Sequence, residues 1–253
     1  MTAWRELGRV AAVIFDCDST LSAIEGIDEL AGTRRTEIEA LTAAAMRGAL
    51  PLEAVYGRRL ELIRPSRGQV TRLAAQYVAR MVPDAAAVVS ALRAEGISVR
   101  ILSGGLRPAV VAVAQSLGLD AASVAAVDIH FDDAGAYAGY DEASPLARSM
   151  GKRDVIADWR RAAGGRLMLV GDGATDLEAS AAADVFVAYA GVVAREAVVT
   201  AADAVIRSPS LAPVLPLALG GAAPRSQGAR ELYEKGCALL EGEYRERLFH
   251  DHS

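Results

Sequence analysis

Val10-Ala11-Ala12-Val13-Ile14-Phe15-Asp16-Cys17-Asp18-Ser19-Thr20 is an apolar run that stops at two aspartates. Leu167-Met168-Leu169-Val170-Gly171-Asp172-Gly173-Ala174-Thr175-Asp176 repeats the pattern far down the chain. Short β-rich runs with no polar alternation read as buried strands of a parallel sheet. Carboxylates just past the C-terminal ends of such strands lie where open α/β sheets bind ligands. Asp16, Asp18, Asp172 and Asp176, brought to one sheet edge, repel one another unless a cation sits between them. Oxygen-only ligation suits Mg²⁺. The pattern therefore predicts a metal-dependent active site.

Outward from these two strands, elements alternate as in βαβ construction. A helix over Ala85–Glu95 leads through Gly96 to a strand over Ile97–Leu102. Ser103-Gly104-Gly105 then reads as a turn, and Pro108 opens a helix running through Val110, Val113, Ala114 and Leu117. Arg153–Ala163 reads as a helix, Val185–Ala188 and Ala204–Ile206 as short strands, and Ile129–Tyr140 as a hairpin turning at Asp132-Asp133-Ala134-Gly135. Between Gly26 and Met81 the rhythm breaks. Helical patterns at Ile27–Ala31, Thr36–Met46, Leu52–Ile63 and Gly68–Arg80 contain no convincing strand. The expected fold is α/β: a Rossmann-like parallel sheet core (1–22 and 82–208) interrupted by a small helical cap (23–81). Pro209, Pro213, Pro216 and Pro224 punctuate a linker-like stretch before an amphipathic C-terminal helix, together 209–253.

Composition narrows the function classes. The 253 residues are 52% hydrophobic but only 5% aromatic, so Ala, Val, Leu and Ile must build the core. A net charge of -5 argues against nucleic acid, whose phosphates need clustered cations. No apolar stretch reaches membrane-spanning length, and no signal-peptide core opens the chain. Cys17 stands between two carboxylates and Cys237 is far away, which points to a reducing compartment and a cytoplasmic protein.

An Asp ending a buried strand can attack phosphorus once a metal screens its charge. A second Asp two residues on can protonate the leaving oxygen and then deprotonate water. Ser103-Gly104-Gly105 before a helix can bind phosphate oxygens, and Lys152 can add positive charge where negative charge develops. No Walker-type loop is present.

In order and spacing, these four segments resemble the motifs of the haloacid dehalogenase-like phosphatases. Further segments are similar to the phosphoserine phosphatases of that superfamily: Glu25-Gly26-Ile27-Asp28-Glu29-Leu30-Ala31, Ala45-Met46-Arg47-Gly48, Arg59-Leu60-Glu61-Leu62-Ile63-Arg64-Pro65-Ser66 and Tyr137-Ala138-Gly139-Tyr140-Asp141-Glu142. The resemblance covers roughly residues 10–207. It implies that Asp16 is a nucleophile forming an aspartyl-phosphate and Asp18 a general acid/base. Asp16, Asp172 and the Asp18 backbone carbonyl would ligate Mg²⁺, with Asp176 supporting the metal site. Ser103, Gly104 and Lys152 would bind phosphate, Glu25 would face a substrate amine and Arg59 a carboxylate. Met46 and Thr175 would line the pocket. The implied reaction is hydrolysis of O-phospho-L-serine, a step of serine biosynthesis. No regulatory module precedes Val10, so serine control through one is not expected.

Blander readings stand beside these. Lys152 alone is an ordinary helix lysine, Arg58-Arg59-Leu60-Glu61 a charged helix face, and Met46 lid packing. The three histidines have no part in the chemistry. Ala229, Leu232, Tyr233, Cys237, Leu240, Tyr244 and Leu248 recur at helical spacing, either packed on the same domain or forming a homodimer contact. A phosphotransferase using the same intermediate, a phosphatase for another amino-acid-like ester and a non-catalytic binding protein are the alternatives.

Overall fold

The computed structural model describes residues 3–46 and 52–250. Its strands are β1 (Ala12–Phe15), β2 (Ser98–Leu106), β3 (Val124–Val127), β4 (Ile129–Phe131), β5 (Tyr137–Tyr140), β6 (Leu167–Gly171), β7 (Val185–Tyr189) and β8 (Ala204–Ile206). Six of them form one sheet in the order β3-β2-β1-β6-β7-β8, with every pairing parallel, while β4 and β5 form a separate antiparallel hairpin. β1 lies in the interior of the sheet and is buried throughout. Val13 and Phe15 enter one apolar cluster, Ala12 and Ile14 the other, so both sheet faces are covered.

Between β1 and β2 the chain forms α1 (Gly26–Leu30), α2 (Arg35–Met46), α3 (Leu52–Ile63) and α4 (Arg67–Ala79), with no strand among the described residues of that interval. Ser66 caps α4 in a reciprocal box with Gln69. The two connections to this helical insert lie side by side. Ala23 N–H donates to the Arg80 carbonyl (2.9 Å), Val82 N–H to the Leu21 carbonyl (3.0 Å), and Ser22 pairs antiparallel with Met81. The remaining helices are α5 (Ala85–Ala94), α6 (Arg107–Ser116), α7 (Gly151–Ala163), α8 (Ala174–Ala179), α9 (Glu196–Ala201), α10 (Val214–Ala218) and α11 (Arg230–His250). Among the described residues, no helix is long and apolar enough to cross a membrane.

Three features depart from the sequence reading. β3, an Ala-rich strand, was not expected, and it provides the edge along which β2 continues. Ser103-Gly104-Gly105 is accordingly not a turn. It prolongs β2 to Leu106, which pairs with Val127 after a register shift beyond Leu102. The stretch read as a linker is buried from Ser210 to Leu219, where Leu211, Val214, Leu215 and Leu217 are fully enclosed. Its prolines suit the first turn of a short helix, since their fixed φ is already helical. Val10 N–H donates to the Ala218 carbonyl (3.0 Å), joining this segment to the entry of β1. α11 then packs on α10, with Leu240 buried and the Tyr233 hydroxyl donating to the Gly221 carbonyl (2.6 Å).

Candidate active site

The parallel pairing of β1 with β6 sets Phe15 beside Val170, and Asp16 N–H donates to the Val170 carbonyl (2.9 Å). Asp16 and Asp172 thus leave the sheet at the same edge. Asp16 Oδ1 accepts from Cys17 N–H (2.7 Å), and its Oδ2 lies 2.8 Å from Lys152 Nζ. The same ammonium, in the first turn of α7, lies 2.8 Å from Asp176 Oδ1. Asp176 Oδ2 accepts from Gly173 N–H (3.0 Å) at the start of α8. Asp172 accepts from the Thr20 hydroxyl (2.8 Å) and forms an ion pair with Arg195.

One oxygen each of Asp16, Asp172 and Asp176 falls within a 4.8 Å span, and all three residues are buried. This donor set can hold one hard cation. Its electrostatics point the same way. Burial, then the charge of Asp176, pushes the Asp16 carboxyl well above the usual range, and Lys152 only partly offsets this. Burial pushes Asp172 up to about 7, opposed by Arg195. Burial disfavours the Lys152 charge, but Asp16 and Asp176 outweigh it and keep the ammonium protonated. A divalent cation would supply the charge that these crowded carboxylates lack.

Asp18 points elsewhere. Its Oδ1 accepts from Gly26 N–H (2.8 Å) and from the Tyr77 hydroxyl, and its Oδ2 accepts from the Ser103 hydroxyl (3.0 Å). Ser103 Oγ in turn accepts from Gly105 N–H (2.9 Å). A side chain at Gly105 would place its Cβ 2.8 Å from Asp18 Oδ2, so this close approach requires glycine. The Gly104 carbonyl accepts from the Tyr56 hydroxyl of α3 (2.9 Å).

The expected substrate residues divide into two groups. Glu25 joins the acidic network: its Oε1 accepts from the Ser19 hydroxyl (2.7 Å) and lies 3.4 Å from Arg195. Burial, then the charge of Asp18, raises its carboxyl above the ordinary range. Arg59 instead forms a 2.6 Å ion pair with Asp28 of α1, and its buried Nε–H has no partner among the described residues. Thr175 sits half-buried in the first turn of α8. Met46 ends α2, and its side chain lies outside the described residues. Arg195 escaped the sequence reading because it stands in a loop before α9, outside any motif. Tyr56 and Tyr77 escaped because aromatic residues on amphipathic helices look like core.

The haloacid dehalogenase-like hydrolase family model matches residues 10–184. The chain belongs to that family. It is 42% identical over 190 residues to phosphoserine phosphatase of Bos taurus, covering 74% of this chain and 84% of that one. Over 209 residues it is 41% identical to the chloroplastic phosphoserine phosphatase of Arabidopsis thaliana, covering 79% and 68%. A solved structure described as a phospho-aspartyl intermediate analogue of phosphoserine phosphatase superposes with a TM-score of 0.68 at 26% identity, covering 82% of this chain and 98% of that one. The matched family span contains Asp16, Asp18, Ser103, Lys152, Asp172 and Asp176, whereas Arg195 lies beyond it.

Proposed function

We propose that this hydrolase converts O-phospho-L-serine to L-serine and phosphate through an aspartyl-phosphate. The observation that carries the reading is the contrast between two neighbouring aspartates. Asp16 is held by Lys152 at the acidic cluster, while Asp18 is held apart from it by Ser103, Tyr77 and Gly26. One can attack while the other handles protons. Asp16, Asp172 and the Asp18 carbonyl would hold Mg²⁺, with Asp176 supporting the site. Bound there, the ion screens the carboxylates from the substrate dianion.

In the first step an Asp16 carboxylate oxygen bonds to phosphorus and the bond from phosphorus to the serine oxygen breaks. Asp18 gives its proton to that departing oxygen. In the second step Asp18 takes a proton from water, whose oxygen bonds to phosphorus as the acyl phosphate bond to Asp16 breaks. Lys152, Ser103 and the backbone of Gly104 bind the phosphoryl oxygens, and the helical cap excludes water from the first step. Glu25 faces the substrate ammonium. Arg59 takes its carboxylate, supported by a buried Nε–H that has no partner among the described residues and that a ligand oxygen would satisfy. By the resemblance, Met46 and Thr175 would line the pocket. Two unpaired thiols, Cys17 and Cys237, suit a reducing cytoplasmic setting.

A panel of small phosphate esters assayed for kcat/KM with Mg²⁺ tests the assignment. O-phospho-L-serine should exceed phosphoethanolamine and phosphoglycolate by at least about 100-fold, since each lacks one charged contact. Equal values would overturn the substrate reading. Phosphorylated product formed from added acceptor alcohols would turn the reading toward group transfer.

A further inference from the structure

We propose that Tyr77 is a positioning residue that holds the Asp18 carboxylate in line for proton transfer; this rests on the reading of Asp18 as acid and base. Tyr77 belongs to α4 and is fully buried. α4 packs along α6 of the core, and the Tyr77 carbonyl accepts from the Ser22 hydroxyl (3.0 Å) beside the connection between cap and core. The backbone carrying the phenol is therefore fixed at both ends of its reach.

The path of the ring is specific. At Gly26 a Cβ would lie 2.0 Å from the Tyr77 hydroxyl oxygen and 2.8 Å from its Cζ, so the phenol passes through space that only glycine leaves open. Gly26 N–H and the Tyr77 hydroxyl then converge on one oxygen of Asp18, while Ser103 holds the other. These donors come from α1, α4 and β2, and together they fix the carboxylate's torsions. Proton transfer in a transition state depends on such alignment, and a small misplacement is costly. Because α1 and α4 are cap helices and β2 is a core strand, Asp18 is aligned only while cap and core are docked.

Tyr77→Phe removes the hydroxyl and keeps the ring. The informative readout is kcat/KM across phosphate esters without amino or carboxylate groups, from p-nitrophenyl phosphate through phenyl phosphate to ethyl phosphate. A good leaving group needs no acid, whereas an alkoxide does. Tyr77→Phe should lose about 10- to 100-fold on ethyl phosphate and less than about threefold on p-nitrophenyl phosphate. Asp18→Asn should show a steeper form of the same trend, and the double variant should lose no more than Asp18→Asn alone. Partial unfolding scales all substrates equally, so the ratio between them stays readable. Gly26→Ala, which displaces the hydroxyl and leaves Tyr77 in place, should steepen the dependence in the same way. A uniform loss or a wild-type profile in Tyr77→Phe, with Asp18→Asn still steep, would overturn the positioning role. A flat profile in Asp18→Asn would instead overturn the reading of Asp18 itself.

Discussion

Lys152→Met tests the electrostatic reading of the acidic cluster. Methionine nearly preserves the volume and removes only the charge. Lys152 is 6% exposed and its ammonium stands 2.8 Å from both Asp16 and Asp176. At an effective dielectric of about 20, a unit pair at that distance is worth roughly 6 kcal/mol before desolvation. Removing one partner of a buried pair costs about 3–5 kcal/mol, because the other charge stays buried. The substitution should therefore destabilise the protein by about 3–5 kcal/mol at pH 7.5 in excess chelator. Urea unfolding followed by circular dichroism gives this value by linear extrapolation. The deficit should shrink at pH 5, because Asp172, raised to about 7, takes up a proton between pH 7.5 and 5 and thins the negative charge of the cluster. Millimolar Mg²⁺ should also reduce it. A loss below about 1 kcal/mol at pH 7.5, or an equal loss at pH 5, would refute the argument.

Four other outcomes are expected. Without metal, folded Asp172 keeps a proton up to about pH 7 that the unfolded chain has released, so stability in chelator should fall between pH 5 and 7. Urea midpoints across that range check this, and Mg²⁺ should flatten the fall. Asp16→Asn should abolish phosphate release, because an amide does not attack phosphorus; retained turnover would exclude the covalent route. Arg59→Ala should lower kcat/KM for O-phospho-L-serine by about 100-fold more than for p-nitrophenyl phosphate. Equal losses would mark Arg59 as a structural partner of Asp28. Leu215→Ala should cost about 2–5 kcal/mol within a single cooperative transition, since Leu215 is fully buried in the main core. A change confined to a separate, weaker transition would show that the tail folds apart.

The strands bearing Asp16 and Asp172 were legible because their residues are apolar at successive positions and end in carboxylates, a pattern few other local structures produce. The cap helices were legible from periodicity, and the structure keeps their extents within a residue or two. β3 was not, because Val124-Ala125-Ala126-Val127 carries too little apolar bulk to separate strand from helix. Ser103-Gly104-Gly105 looks like a turn in sequence for the same reason, since its strand character depends on pairing with β3. Pro213 and Pro216 read as loop markers in sequence, although proline also begins helices and Leu211–Leu219 has apolar content enough for a core. Of the four acids expected at one edge, Asp16, Asp172 and Asp176 meet, whereas the Asp18 carboxylate turns aside to Gly26, Tyr77 and Ser103 because cap and strand donors capture it. Arg195 could not be foreseen, because its pairing with Asp172 and Glu25 depends on the path of one loop over the sheet edge.

The paired connections at Ser22 and Met81 have a consequence for redesign. Since the insert leaves and re-enters the core through adjacent, hydrogen-bonded segments, it is topologically a very long hairpin loop. A short turn joining Leu21 to Val82 would preserve every strand order in the sheet. Helical inserts of other shapes could be exchanged at the same junction, each bringing its own recognition surface to an unchanged phosphoryl-handling edge. The cost of such an exchange would fall on Asp18, which would lose the donors supplied by Gly26 and Tyr77. A transplanted cap must therefore carry its own hydroxyl and peptide N–H to that carboxylate, and specificity and proton handling would have to be redesigned together.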